Sequence, residues 1–182
     1  MDRGRFKNIM NVLVTGANGL VGRALRVISK HNEYKNIRFI FVGREECNLL
    51  NRAEIDDLLD VTRPNAVIHA AARVGGIGMN LRTPSEQYYE NIIMNTEIIN
   101  SSYKFGVDKL ISFSSVCAFP GGLEFLKEDK LHEGEPFPAH RSYAYSKRMV
   151  DVQIEAYNNQ FGLNYCSAIP GNIFGKNDNF NL

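Results

Sequence analysis

Cysteine, net charge and long apolar runs are all scarce in this sequence, and each scarcity excludes a class of protein. Cys47, Cys117 and Cys166 are an odd number of cysteines at wide spacings among 182 residues. That pattern fits neither a disulfide framework nor a metal cluster, so we expect reduced thiols and no metal site. Twenty-one basic against 20 acidic side chains leave a net charge of +1. Nothing in that balance indicates a nucleic-acid or anionic-membrane partner.

The apolar residues are distributed as in a globular domain and not as in a membrane protein. No run approaches the roughly 18 apolar residues that a membrane-spanning helix needs, and the charged start has no signal-peptide core behind it. Apolar residues make up 44% of the chain and charged residues 23%, enough to bury a continuous core and to exclude disorder as the main state. We therefore expect a cytoplasmic protein whose partner is a small molecule.

Strand patterns alternate with helix patterns along the chain. A polar leader over residues 1–8 precedes apolar runs that predict strands over 9–14, 37–42, 66–70, 109–113 and 163–168. Helices are predicted over 20–28, 52–60, 85–105 and 143–161, with Asn51 as a candidate N-cap and Gly106 as a C-cap glycine. The alternation predicts a doubly wound parallel α/β sheet of the Rossmann type, forming one domain over residues 9–182.

In such folds the ligand lies beyond the carboxyl ends of the strands, which directs attention to the segments that follow them. These segments are residues 16–22, 43–44, 70–79, 114–119 and 170–175. The polar loop over 121–140 is long for a compact α/β domain, and loops of that length tend to be functional.

Three glycines follow the first strand with the spacing G-x-x-G-x-x-G and open the first helix. Gly16 allows a tight turn, Gly19 lets the backbone approach a pyrophosphate, and Gly22 permits close helix packing. The N–H groups at the start of that helix, around Leu20 and Val21, favour an anion. In this context dinucleotide binding is favoured over a plain structural turn.

The charges after the second strand bear on the choice of cofactor. A guanidinium suits a 2′-phosphate, whereas a carboxylate usually holds the ribose hydroxyls of a cofactor that lacks this phosphate. Arg44 therefore favours NADP over NAD, but Glu45 and Glu46 follow at once and could serve NAD. A solvated charge at a strand end is the structural alternative for Arg44.

Tyr143 and Lys147 stand four residues apart, so on a helix they share one face. A neighbouring cation stabilises a phenolate and lowers the tyrosine pKa, which suits a group that exchanges a proton with a carbinol oxygen. Such pairs are common by chance. This one gains weight because the stripe Tyr143, Lys147, Val150, Ile154 and Phe161 must pack on the sheet, which turns Lys147 inward.

A serine pair and a cysteine follow the fourth predicted strand. The hydroxyls of Ser114 and Ser115 lie where they can bind a substrate carbonyl, or can satisfy the backbone at the strand end. Cys117 lies two residues further on, and a buried cysteine is more often a small apolar side chain than a catalyst.

Five sequence blocks together resemble the extended short-chain dehydrogenase/reductases, and within them the GDP-L-fucose synthase family. The blocks are TGANGLVG, HAAARVGGIGMN, SSVCAFP, YAYSKRMVD and IPGNIFGKNDNF, and the resemblance covers residues 11–182. It implies an NADPH-dependent enzyme that epimerises GDP-4-keto-6-deoxymannose at C3 and C5 and reduces C4 to give GDP-L-fucose. It also implies a homodimer formed through the two long helices, although the apolar residues there are equally ordinary as core.

The resemblance also implies a role for each matching residue. Tyr143 would donate the proton to the C4 oxygen, Lys147 would lower the pKa of Tyr143 and hold the nicotinamide ribose, and Ser115 would bind the keto oxygen. Cys117 matches the acid/base of epimerisation, and Arg44 the contact to the 2′-phosphate. The candidate cofactor contacts are Gly16, Asn18, Gly19, Leu20, Val21, Gly22, Arg44, Ala71, Lys147, Pro170, Asn172 and Ile173.

The sequence departs from the family pattern at three places. Asn18 stands where a basic residue is frequent, and Gly171 where threonine is usual. A second epimerisation residue and a small substrate domain would lie past Leu182, so we expect no sugar turnover from these 182 residues alone, even with NADPH bound. Two alternatives stay open: another nucleotide-sugar epimerase, dehydratase or reductase of the superfamily, and a truncated, non-catalytic nucleotide-binding module.

Overall fold

The computed structural model describes residues 9–176 and residue 178. The predicted polar leader over residues 1–8 lies outside the described residues. So do Asn177, Asn179 and Phe180 of the block IPGNIFGKNDNF, and the predicted end of the domain at Leu182.

Five parallel strands form a single sheet in the order β2-β1-β3-β4-β5. The strands are β1 Met10–Thr15, β2 Ile37–Val42, β3 Ala66–His69, β4 Lys109–Phe113 and β5 Cys166–Ala168. The strand order reverses at β1, because β2 lies on one side of it and β3 to β5 on the other. The crevice beyond Thr15 and His69 is therefore a topological switch point, where ligands bind in doubly wound sheets. The predicted fold class is confirmed.

Within residues 9–176, five α-helices cover the two faces of the sheet and connect its strands. They are α1 Leu20–Ile28, α2 Arg52–Thr62, α3 Ile77–Arg82, α4 Pro84–Lys104 and α5 Arg141–Phe161. Four were predicted to within two residues at each end. The sequence analysis missed α3, because six residues containing a glycine are too few for a helical period to register. The last predicted strand was wrong at its start, since only three of its six residues pair with β4.

The helix ends follow local chemistry. The Asn51 side chain accepts a hydrogen bond from the Ala53 N–H at 3.1 Å, which confirms it as the N-cap of α2. Gly106, just beyond α4, has a φ of +67°, in the left-handed region that glycine adopts without strain. The predicted C-cap glycine is thus also confirmed.

The core lies between the central strands and the long helices. Leu13, Val67 and Leu110 of the strands are fully buried, and Ile98 and Ile99 of α4 share their cluster. Each such side chain contributes about 1.5–3 kcal/mol by its removal from water. This continuous core fixes the strand ends from which the loops of the site project.

The predicted inward stripe of α5 is correct at four of its five positions. Tyr143, Lys147, Val150 and Ile154 are buried. Phe161 was expected to pack on the sheet, but it is 38% exposed and stacks on Tyr103 of α4 with ring centroids 4.1 Å apart. It lies at the last residue of α5, where the helix has passed the sheet and meets α4 instead.

All three cysteines are free, with Cys47 buried and the other two partly buried. Among the helices of residues 9–176, none combines the length and the apolar character needed to cross a membrane.

Candidate active site

The glycine loop between β1 and α1 is shaped by close backbone packing. Gly16 has a φ of +71°, and a Cβ added there would lie 2.5 Å from the backbone nitrogen of Ala71. A Cβ at Gly22 would collide with the backbone of Gly16 and Ala17. A Cβ at Gly19 would meet only the Gly16 carbonyl, at 3.3 Å, and would otherwise enter open space. Gly16 and Gly22 therefore serve the fold, while Gly19 keeps backbone open to a ligand.

The first turn of α1 has the features of an anion site. Gly19 is its N-cap, no side chain caps it among the described residues, and its first turn contains no acidic residue. Arg23 fixes the loop from within the helix by donating from Nε to the Asn18 carbonyl at 2.8 Å. Uncapped N–H groups and the helix dipole together suit a pyrophosphate, so these residues fit the dinucleotide that the sequence predicts.

Two cavities open beside this loop, at the carboxyl ends of the strands. The smaller, of about 290 Å³, extends toward the end of β2, and the larger, of about 830 Å³, extends toward α5. They share Asn18, Gly19, Ala70 and Ala72 in their walls. A ligand that occupied both would pass over Gly19 and the start of α1.

Most of the predicted site residues line one cavity or the other. The smaller contains Gly16, Asn18, Gly19, Arg44 and Ala71. The larger contains Asn18, Gly19, Leu20, Val21, Ser115, Tyr143, Lys147, Pro170, Asn172 and Ile173. Gly22 and Cys117 line neither cavity. Gly22 packs beneath the loop, and Cys117 lies in the 3₁₀ turn Val116–Ala118, next to the larger cavity.

Sequence reasoning missed several walls of the smaller cavity. They are Asn48, Leu49 and Leu50 after β2, and Glu90 and Met94 of α4, whereas Arg73 lies within the segment 70–79 that the sequence had already marked. The run Asn48 to Leu50 follows the Arg44 turn closely enough for its position to have marked it. Glu90 and Met94 carry no such signal, because only the packing of α4 across the strand ends brings them there.

The loop that follows β3 is clamped to α4. The Asn91 amide accepts a hydrogen bond from the Arg73 N–H at 3.0 Å and donates one to the Arg73 carbonyl at 3.0 Å. The Arg73 guanidinium also forms an ion pair of 2.7 Å with Glu90. This double clamp holds the wall between the two cavities.

A buried chain of hydrogen bonds joins β1, β3 and α4 at the switch point. Thr15 Oγ1 lies 2.7 Å from His69 Nδ1, and His69 Nε2 lies 3.0 Å from Asn95 Oδ1. Burial and the nearby charge of Lys147 lower the pKa of His69 to about 3, against which the bond to Asn95 acts weakly. His69 is thus a neutral ring that donates to Asn95 and accepts from Thr15, directly below the cavities.

Tyr143 and Ser115 meet at the wall of the larger cavity. Both side chains line this cavity, and Tyr143 is 9% exposed. Burial, and then the charge of Cys117, raise the pKa of Tyr143 to about 12, although the bond to Ser115 acts in the opposite direction. The phenol is therefore fully protonated at neutral pH.

Lys147 is buried and faces inward, as expected. Its Nζ donates to the Phe113 carbonyl at 2.8 Å and lies 5.9 Å from the centre of the Tyr143 ring. Burial lowers the pKa of Lys147 to about 8. The expectation that this cation lowers the pKa of Tyr143 is wrong for this structure, because the ammonium is directed at a carbonyl and burial of the phenol dominates.

The two serines after β4 both bond to the backbone. Ser114 Oγ donates to the Lys147 carbonyl at 3.4 Å, and Ser115 Oγ accepts from the Cys117 N–H at 3.2 Å. Ser115 caps the following turn, which is the backbone role that the sequence left open, and it also lines the larger cavity.

Arg148, which sequence reasoning passed over, organises the segment that contains Cys117. It is 4% exposed, and it donates from Nε to the Ala118 carbonyl at 2.6 Å and from Nη1 to the Gly134 carbonyl at 2.9 Å. A buried guanidinium thus ties the cysteine turn and the long loop before α5 to that helix.

Comparison with known proteins gives a consistent family. The model of the NAD dependent epimerase/dehydratase family matches residues 12–182. A GDP-L-fucose synthase from Dictyostelium discoideum is 38% identical over 94% of this chain, and a probable GDP-L-fucose synthase from Drosophila melanogaster is 37% identical over 93%. The crystal structure of a GDP-L-fucose synthetase from Naegleria fowleri bound to NADP superimposes with a TM-score of 0.87 at 38% identity over 96% of this chain.

This chain spans about half the length of these relatives. It covers 54% and 53% of the two synthases and 57% of the Naegleria fowleri chain.

Proposed function

We infer the function of this chain from its family, since it belongs to the NAD dependent epimerase/dehydratase family. We propose that residues 9–182 form an NAD(P)-binding domain that binds NADP(H). We propose further that it serves the epimerisation of GDP-4-keto-6-deoxymannose and its reduction to GDP-L-fucose. The names of its relatives support the substrate, and the strand-end cavities support the cofactor.

One observation carries this proposal. A buried phenol, a hydroxyl and an ammonium, from Tyr143, Ser115 and Lys147, line the same cavity as the glycine loop and the uncapped start of α1. Groups for proton transfer thus lie in one space with a backbone suited to a pyrophosphate.

The smaller cavity suits the adenosine half of the cofactor. Arg44 stands at its outer end for the 2′-phosphate, and Leu49, Leu50 and Met94 supply apolar walls for a base. The larger cavity would take the nicotinamide between Tyr143 and the segment over 170–173. NADPH, when bound, supplies the hydride for the C4 carbonyl carbon.

The chain's own residues supply the proton and orient the carbonyl. With a pKa raised to about 12, the Tyr143 phenol holds its proton at neutral pH and can give it to the carbonyl oxygen as negative charge develops there. The Ser115 hydroxyl lines the same cavity and interacts with the phenol, so it would bind the same carbonyl oxygen. The same polarisation stabilises the enediolate formed when a carbon next to the carbonyl loses a proton, so one site serves both steps.

Cys117 is proposed as the acid/base of epimerisation. Its N–H is bonded to Ser115 Oγ, which places its turn beside the hydroxyl that would hold the keto oxygen. In the protein at the length of its relatives, Cys117→Ser should slow exchange of substrate protons with solvent deuterium more than it slows reduction. Cys166→Ser, in β5, which is the outer strand of the sheet within the described residues, is the matched control and should change neither rate. Equal loss of both steps in Cys117→Ser would contradict a separate role in epimerisation.

Cofactor binding and turnover test the proposal as a whole. NADPH should bind to this chain in a fluorescence titration, and Lys147→Ala should weaken that binding. With the protein at the length of its relatives, GDP-4-keto-6-deoxymannose should drive NADPH oxidation. Failure to bind any pyridine nucleotide would refute the cofactor assignment. Oxidation with another keto-sugar nucleotide but not with this one would refute the substrate.

We also propose a cytoplasmic homodimer that associates through α4 and α5. Tyr88, Tyr89 and Val152 are between 43% and 61% exposed on these helices, and Tyr88 and Met149 share the walls of a surface cavity of about 250 Å³. Three free thiols suit a reducing compartment. Light scattering should give twice the chain mass, and Met149→Glu should give the monomer. A monomeric wild-type protein would contradict the dimer.

A further inference from the structure

The loop after β2 contains a carboxylate that is held at the turn next to Arg44. Glu46 Oε2 accepts a hydrogen bond of 2.7 Å from the Gly43 N–H, so its side chain folds back over the turn that includes Arg44. Gly43 is buried and lines the smaller cavity beside Arg44. The Gly43 N–H, which lies next to Arg44, is therefore already bonded to the Glu46 carboxylate.

The glycine loop meets this turn. A Cβ at Gly43 would lie 2.5 Å from Asn18 Nδ2 and 2.9 Å from Glu46 Oε2, so the amide and the carboxylate both pack against the same Cα. The Ala17 N–H bonds to the Val42 carbonyl at 3.1 Å, which fixes the distance between the two loops. Asn18 and Arg44 line the smaller cavity at this corner, and Glu46 packs against Gly43 behind it.

The charges at this corner do not favour a doubly charged phosphate strongly. Arg44 contributes one positive charge, Asn18 contributes none, and Glu45 and Glu46 contribute two negative charges. Of the two carboxylates, Glu46 is the one that is held at the turn by a hydrogen bond. A phosphate that approached Arg44 would be repelled by that carboxylate and would find the Gly43 N–H in use.

We propose that Glu46 is a specificity-determining residue that lowers the preference of this chain for NADPH over NADH. This inference rests on the proposed function, since it assumes that the smaller cavity holds the adenosine ribose. Glu46 acts on the 2′-phosphate through charge and through its hold on the Gly43 N–H. NADH lacks that phosphate, so its binding does not depend on Glu46.

Glu46→Gln tests the proposal without disturbing the turn. The glutamine carbonyl can still accept from the Gly43 N–H, and only the charge is removed. The affinity for NADPH, measured by fluorescence titration, should rise roughly threefold to tenfold at low salt, and the gain should shrink as salt screens the charge. The affinity for NADH should stay within about twofold of the wild type, as expected for a purely charge-based effect on the phosphate.

Glu45→Gln is the matched control. It removes the same charge from the neighbouring residue, whose side chain does not hold the Gly43 N–H. It should change the ratio of the two affinities less than Glu46→Gln does. An equal change in both variants would reduce the effect to net charge and overturn the proposal. So would an unchanged ratio in Glu46→Gln, or a loss of NADH affinity, which would indicate a direct ribose contact.

The outcome also separates this inference from the proposed function. If the wild type binds NADPH and the ratio does not respond to Glu46→Gln, only the role of Glu46 fails. If neither nucleotide binds to the wild type, the cofactor assignment fails and this inference fails with it.

Discussion

Acid should destabilise this protein through His69 in particular. The ring is 1% exposed and lies between Thr15 and Asn95, with its pKa lowered to about 3 by burial and by the charge of Lys147. In the unfolded chain a histidine has its ordinary pKa of about 6.5. Below that pH the His69 ring binds a proton in the unfolded state but stays neutral in the folded state. The stability that His69 contributes is therefore complete above pH 6.5 and is lost as the pH falls.

The size of the loss follows from linkage. Each pH unit below the unfolded pKa costs about 1.4 kcal/mol, as long as the folded ring stays neutral. Between pH 7.5 and pH 5.0 the free energy of unfolding should fall by about 2 kcal/mol through this one group. The result depends little on the folded pKa, because about 3 is already well below pH 5.0.

Urea unfolding followed by far-ultraviolet circular dichroism at the two pH values measures this loss. His69→Gln removes the titration and retains an amide that can accept from Thr15, so the variant should lose about 2 kcal/mol less than the wild type over this range. His31→Gln removes an exposed histidine and should lose as much as the wild type. Parallel losses in the wild type and in His69→Gln would refute the reasoning. Ring resonances of His69 that titrate near pH 6.5 in the folded protein would do so independently.

Three further substitutions test the packing around the site. Gly16 has a φ of +71°, and a Cβ added there would lie 2.5 Å from the backbone. Gly16→Ala should therefore lower the free energy of unfolding by about 2 kcal/mol or more and abolish NADPH binding. A stable variant that still binds NADPH would refute the packing argument. Arg148→Met should cost about 2–5 kcal/mol in urea unfolding, because the buried carbonyl of Ala118 and the partly buried bond to Gly134 lose their donor. A cost below about 1 kcal/mol would show that water replaces it. Asn91→Leu should release the backbone of Arg73 and speed tryptic cleavage after that residue, and unchanged cleavage would mean that the clamp is redundant.

The sequence predicted those parts of the fold that local patterns determine. Apolar runs located the strands, and Asn51 and Gly106 marked helix ends because each performs a local function there. The glycine spacing also identified the loop, since a left-handed φ at Gly16 and open space at Gly19 are requirements on single residues. What each residue does alone can be read from the sequence.

Properties that depend on several elements at once could not be predicted. The pKa of Tyr143 was expected to fall, because Lys147 is close in sequence, yet burial raises it and Lys147 bonds to Phe113 instead. Phe161 continues the helical stripe but lies beyond the sheet. The bonds of Asn91 to the loop after β3 depend on how α4 crosses the strand ends.

Neighbouring positions of α5 serve different halves of the site, and this limits how the protein can change. Lys147 and Arg148 point about 100° apart, as successive helical residues do, so one reaches the end of β4 and the other reaches the cysteine turn. A rotation or slide of α5 would displace Tyr143 and the turn that contains Cys117 at the same moment. We therefore expect new substrate preferences to arise through mutations in the surrounding loops, and few substitutions to be accepted on the buried face of this helix.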